Sequence, residues 1–422
     1  MKKYLLAPAF AALLVASVFI LPGCLKDSYQ RTSRYTYYKP VYKTTDEVRA
    51  NIRSNPSRPI EKPGKIYMLG SYIFLNETDK GVHVIDNSDP ASPKNIAFID
   101  IPGNMDMAVK GNTLYADLYT DLVAIDISNP TAVLLRKVVE NVFPQRRYSG
   151  YFLADSTKII SSWEKRDTII TEKVELDSWL KMGNVFMSYA ASTDKAGSAV
   201  SVSPVGIGGS MARFTVVNDR LYTIGTSELS VLNISMAAEP RMVTTKNIGW
   251  DIETIYPFMN KLFIGSTTGM FVYNISNPDQ PVQSGQFSHV RSCDPVISDG
   301  KFAYVTLRSG TRCQGFTNEL DVLSLNTMAD PSLLKVYPLT NPFGLSKDGN
   351  ILFICDGRDG LKLYDATDVR NLKSITTISG PDTYDVITAN GRALVVAKDG
   401  LYQYDYSNLS SVRMLSKINI SN

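Results

Sequence analysis

At 422 residues the chain is longer than one typical globular domain needs, although a repeat fold can reach that length as one unit. Apolar residues make up 44%, enough for a core, Tyr is unusually frequent, and no low-complexity tract dominates, so the composition is that of a folded protein. The net charge is +3, and +1 (42 basic against 41 acidic residues) without Lys2 and Lys3, which argues against a nucleic-acid partner.

The chain opens with Lys2 and Lys3, an apolar run from Tyr4 to Ile20, and Leu21-Pro22-Gly23-Cys24. A positive n-region, an h-region and a small residue at a cleavage point predict a signal peptide over 1–23. A transmembrane helix fits less well, because the run is short, contains Pro8 and is followed by no stop-transfer pattern. Leu-Pro-Gly-Cys resembles the bacterial lipobox, which implies that Cys24 is lipidated and becomes the mature N-terminus. Acyl chains hold a protein on a bilayer through their buried methylenes. The expected location is therefore the bacterial outer membrane, on the cell surface or in the periplasmic leaflet. The single acid of Leu25-Lys26-Asp27-Ser28 is a thin version of an acidic surface-export signal. Disulfides are permitted there, and three cysteines remain beyond Cys24, an odd number.

Residues 24–63 are polar, Tyr-rich and broken by Pro40, Pro56, Pro59 and Pro63, which predicts a tether that later packs against the folded body. Within it Thr45–Arg49, with acids in its first turn, predicts one short helix. From residue 64 the pattern becomes periodic. An apolar strand-like run ends in an acid or amide at Asp86, Asp126, Asn233, Asn274, Asp365 and Asp405, with Ser324 in the same slot. The spacing is near forty, and each period divides into four short strands; in the second these are 105–110, 113–118, 122–127 and 132–139. Four strands per unit of about forty residues is the pattern of a β-propeller, an all-β fold of four-stranded antiparallel blades. A β-sandwich would not explain a period that continues to the C-terminus. Eight units are counted, beginning near Lys65, Met105, Tyr148, Met211, Ile252, Cys293, Phe343 and Tyr384. The third has lost the signature and precedes a Gly/Ser/Ala-rich insertion over 182–210, so eight blades are expected and seven is the alternative.

The phrases Leu122-Val123-Ala124-Ile125-Asp126, Val82-His83-Val84-Ile85-Asp86 and Leu361-Lys362-Leu363-Tyr364-Asp365 resemble the LVIVD repeat, a propeller-forming repeat of bacterial envelope proteins. With the lipobox and Tyr38-Lys39-Pro40-Val41-Tyr42, they resemble the surface or periplasmic lipoproteins of Bacteroidetes that carry it. The resemblance implies architecture and no assigned chemistry.

Chemical motifs are scarce. The two histidines, His83 and His289, are far apart, and neither CxxC nor HExxH occurs, so a zinc site is unsupported. No phosphate loop, nucleophile elbow or dinucleotide fingerprint appears, and no cofactor is expected. Gly206-Ile207-Gly208-Gly209 is followed by no helical pattern and reads as a flexible hinge. Topology places any site on the face where innermost strands begin and second-to-third loops emerge. The strand starts bring Asp106, Arg213, Glu253, Asp294 and Asp385 there, and the loops add Glu164, Arg166, Arg308, Arg312, Asp356 and Arg358. These carboxylates share no loop motif of the calcium-binding kind. Cys293 and Cys313 belong to one unit and should share this face, so a Cys293–Cys313 disulfide is expected, with Cys355 a competitor. A rigid scaffold bearing such loops suits a binding module for an envelope protein or glycan. The alternative is an extracytoplasmic polysaccharide lyase or hydrolase using rim carboxylates or tyrosines, which needs two acids at catalytic spacing.

Overall fold

The residue closing each repeated phrase turns the chain with its own side chain. Oδ1 of Asp86, Asp126, Asn233, Asn274, Asp365 and Asp405 accepts from the backbone N–H two residues on, at 2.9 Å in every case. Ser324 does the same more loosely through its hydroxyl, 3.4 Å from the Asn326 nitrogen. An Asx turn of this kind offers the backbone a partner other than the ladder and so ends the strand.

The structure is a computed structural model that describes residues 29–146, 159–174, 206–289, 295–310 and 316–421. Among the described residues seven sheets each contain four consecutive antiparallel strands, over 63–100, 107–139, 214–247, 252–288, 296–338, 345–378 and 383–419. We number these blades one to seven. In each, the first strand is innermost, neighbouring first strands lie side by side, and Thr383–Ala389 of blade seven meets Pro63–Leu69 of blade one. The fold is a seven-bladed β-propeller, so the preferred count of eight gives way to the alternative of seven. The third unit of the count is not a blade: Ile159–Val174 pairs with Tyr29–Lys43 in a two-stranded sheet. Apart from Trp163 its Ser162–Thr168 stretch is polar or charged, and it has no apolar run to bury between two neighbours. That ribbon belongs largely to a second compact unit of the chain, held across its strands by Thr36 Oγ1 donating to Asp167 Oδ1 at 2.6 Å and by Thr32 and Thr171 at 3.2 Å.

A blade is covered on both faces, so its middle strands are largely apolar; Leu122, Val123, Ala124 and Ile125 are all fully buried. In all seven blades the ladder between third and fourth strands slips by one residue, a bulge that adds twist to the outer edge. The glycine that opens the phrase serves positive φ at Gly81 (+146°) and Gly360 (+88°), as the turn requires. At Gly269 the reason is different: a Cβ there would lie 2.3 Å from the Phe287 carbonyl oxygen of the outer strand. The abundant tyrosines fasten blade to blade. Tyr115 and Tyr222 donate to turn carbonyls of the next blade, Ala237 at 2.8 Å and Pro278 at 2.9 Å.

Blades seven and one close the ring through an apolar cluster that includes Ile60, Ile66, Leu394 and Val396. Ile60 forms a parallel bridge with Ile420, and Asn87 and Gln403 exchange side-chain bonds at 3.0 and 2.7 Å. The N-terminal arm contributes Arg53–Pro56 as an added strand on the outer edge of blade one. Before it the helix Thr45–Arg49 starts on a capping box between Thr44 and Glu47. His83 is buried in blade one, 2.8 Å from Glu77 and edge-on to Phe98, so it packs within the blade. Burial holds its imidazole below the usual pKa, despite the pull of Glu77.

Candidate functional site

The central channel is crossed by the protein's own chain. Residues 206–213 lead into blade three, and Ile207–Gly208 pairs antiparallel with the innermost strand of blade one, opposite Met68 and Tyr67. The amide of Gly206 donates to Val109 of blade two at 3.1 Å, and that of Gly209 to Ile66 of blade one at 3.3 Å. Ser210 Oγ accepts from the Leu345 amide of blade six at 2.8 Å and bonds Asp385 of blade seven at 3.3 Å. Ala212 accepts from the Ile255 amide of blade four at 2.8 Å. This segment, expected to be a flexible hinge, is therefore a bonded strand touching five blades. Its glycines admit that packing. A Cβ on Gly206 would sit 2.2 Å from the Tyr67 ring, and one on Gly209 would sit 2.0 Å from Asp385 Oδ2.

Above this floor, where the first strands begin, lies a recess of ≈ 460 Å³. Its walls carry Lys65, Arg213, Glu253 and Arg308, with Met105, Met211, Pro295 and Phe343 as apolar surface. Arg213, Glu253 and Arg308 are three of the residues that topology nominated, and the fold brings them to one cavity. Arg213 donates Nη2 to the Gly225 carbonyl at 2.6 Å, and the Arg308 guanidinium lies 4.2 Å from the Phe343 ring centre. Burial pulls the pKa of Lys65, Arg213 and Arg308 below that of free lysine and arginine, with Asp106, Asp385 and Glu253 opposing the shift.

The other nominated residues are placed differently. Asp106 and Asp385 were expected on the rim of the channel, but both are almost fully buried and hold its floor. Asp106 accepts from the amides of Met107 (2.7 Å) and Arg213. Asp385 accepts from Val386 at 3.0 Å as well as from Ser210. Asp356 is fully buried, receives the amides of Thr340 and Asn341, and pairs with Lys362. Arg358 is 88% exposed and 3.9 Å from Asp382, and Glu164 and Arg166 pair with each other on the ribbon. Cys24, Cys293, Asp294, Arg312 and Cys313 lie outside the described residues. Cys355 is a free thiol buried between blades six and seven, with its pKa well raised by burial. Among the described residues no cluster of metal-ligating side chains occurs, and no helix is long and apolar enough to cross a membrane.

Sequence reasoning missed Lys65 and Phe343, although the strand-start rule that nominated Asp106 applies equally to them. It had no signal for Asp117, whose Oδ1 fixes the entry to blade two by accepting from the amides of Met105 (2.8 Å) and Asp106 (2.9 Å).

Burial raises the carboxyl of Asp385 to a pKa of about 6, with Lys65 opposing. Because the folded state then binds the proton more tightly than the unfolded chain, this group's contribution to stability is full below its unfolded value of 3.8 and is lost as pH rises through about 6. The stability of the wild type minus that of Asp385→Asn should therefore fall by about 3 kcal/mol between about pH 3.5 and about pH 7.5. Urea denaturation of both proteins at each pH measures it, and a pH-independent difference would contradict the assignment.

Fold and recess together define the class: a seven-bladed β-propeller whose channel is floored by its own chain. Residues 64–97 and 103–140, blades one and two, match the LVIVD repeat, so the chain carries LVIVD repeats. Among solved structures it is similar to the computationally designed Ika8 protein, with 8% identity, a TM-score of 0.52, and 86% of this chain and 90% of that one covered. It is also similar to the periplasmic gluconolactonase PpgL of Pseudomonas aeruginosa, with 12% identity, a TM-score of 0.50, and coverage of 85% and 96%. Identities this low show the fold alone. No curated protein matches the sequence.

Proposed function

We propose that this protein is an envelope lipoprotein, anchored at the outer membrane through Cys24, whose propeller binds a protein or glycan partner without transforming it. The observation that carries the reading is the floored recess. Its base is built from hydrogen-bonded main chain, and its walls present Arg213, Arg308 and Glu253 beside Phe343 and Met105. A rigid concavity with apolar surface and a few convergent polar groups is the usual form of a recognition site. Two acids of its floor are occupied: Asp106 holds two backbone amides, and Asp385 holds Ser210 and Val386.

The alternative, a polysaccharide-active enzyme, draws on the channel-floor acids Asp106 and Asp385. Burial raises both to a pKa of about 6, which suits a proton donor, and Asp385 Oδ2 carries no hydrogen bond. The test is affinity capture from envelope membranes with full-length protein, which must itself fractionate with the outer membrane. One reproducible partner, lost with Arg308→Glu, is the expected result. Glycan consumed with no partner retained would transfer the case to the enzyme.

A further inference from the structure

Cations elsewhere in the fold pair directly with carboxylates, whereas among the described residues the three half-buried cations of the recess meet Asp106, Asp385 and Glu253 only at longer range. Lys110 is paired with Asp219, Arg49 with Asp121 at 2.7 Å, and Lys362 with Asp356. Lys65, Arg213 and Arg308 line one cavity, and among the described residues none of them has a carboxylate oxygen within 4.0 Å. Arg213 Nε is buried with no acceptor. Thr267, 6% exposed, belongs to the same lining, and its buried Oγ1 has no hydrogen-bond partner. Three cations on one cavity with no direct carboxylate partner among the described residues point to a ligand that supplies an anionic group.

We propose that the recess takes a carboxylate-bearing sugar, a uronic acid residue of a glycan, with its carboxylate on Lys65, Arg213 and Arg308. The inference rests on the binding reading above and gives it a ligand class. A carboxylate offers a guanidinium the charge-assisted geometry it otherwise lacks. Glu253 and Asp251 on the same wall disfavour a dianion such as phosphate. Phe343 and Met105 provide surface for the ring's C–H face. The volume of ≈ 460 Å³ falls in the range of about 300–1,000 Å³ usual for small-ligand sites.

The test is calorimetric titration of the full-length protein with uronate oligosaccharides, with neutral oligosaccharides of the same linkage, and with inorganic phosphate. Uronate oligosaccharides should bind at least about tenfold more tightly than the neutral ones, a gap of about 1.4 kcal/mol. Arg308→Gln should lose at least that factor while melting like the wild type, and Arg413→Gln, on the outer strand of blade seven, should bind normally. Equal affinity for neutral sugars, tighter binding of phosphate, or no binding of any uronate oligosaccharide would overturn the proposal. If a partner is still captured from membranes in any of those cases, the binding reading stands without this ligand class. If nothing is captured either, both readings fall.

Discussion

Lys110→Met should destabilise the propeller by about 3–5 kcal/mol at neutral pH, the cost of stripping a buried charge of its partner. Lys110 ends the first strand of blade two, and its ammonium pairs with Asp219 in the first turn of blade three, with side chains 2% and 8% exposed. Neither charge has much water to fall back on, so removing one leaves the other uncompensated in a low-dielectric seam. The double variant Lys110→Met/Asp219→Leu should recover most of the loss, because an apolar pair of similar volume has no desolvation cost to offset. Urea midpoints of the wild type, the two single variants and the double variant close the cycle. A double variant no more stable than Lys110→Met would show that the seam depends on packing rather than on the charge.

Gly206→Val is expected to cost about 3 kcal/mol or more, through a steric conflict with main chain. A Cβ at 206 would stand 2.6 Å from the Met68 carbonyl oxygen as well as against Tyr67, and that carbonyl belongs to the innermost strand of blade one. The strand is anchored by its ladder and cannot retreat, so the channel segment would have to leave. Hydrogen exchange reports this directly. The Gly209 amide, bonded to Ile66, should lose protection in the variant while the amides of blade two keep theirs. Gly70→Ala is the control. Gly70, unlike Gly206, has positive φ, +58°, and nothing lies within 4 Å of its would-be Cβ, so only the backbone term of about 1–2 kcal/mol applies. Equal losses at 206 and 70 would mean that the channel contact carries no weight.

Much of the fold was legible because a blade is a local object. The phrase ending in Asp126 contains its own strand and its own turn acid, and the turn that follows closes on bonds spanning two residues. The same locality allowed the strand-start rule to nominate Arg213 and Glu253 before any geometry was known. It failed for Ile159–Val174, which has the β character of a blade strand but no apolar run for two covered faces, so it pairs outside the propeller. It failed again at Gly206, Gly208 and Gly209. A glycine needed for close approach and a glycine needed for flexibility are the same letter, and only the neighbours, Tyr67 and Asp385, distinguish them.

The sequence by itself determined the kind of unit and where each unit turns, because period, apolar runs and turn acids are short-range properties. The tertiary structure decided the rest: that seven sheets close the ring, that residues 206–213 cross its channel, and that Lys65, Arg213 and Arg308 share one recess. Those three cations lie up to 243 positions apart in the chain. Ring closure alone makes them neighbours, and no local pattern encodes it.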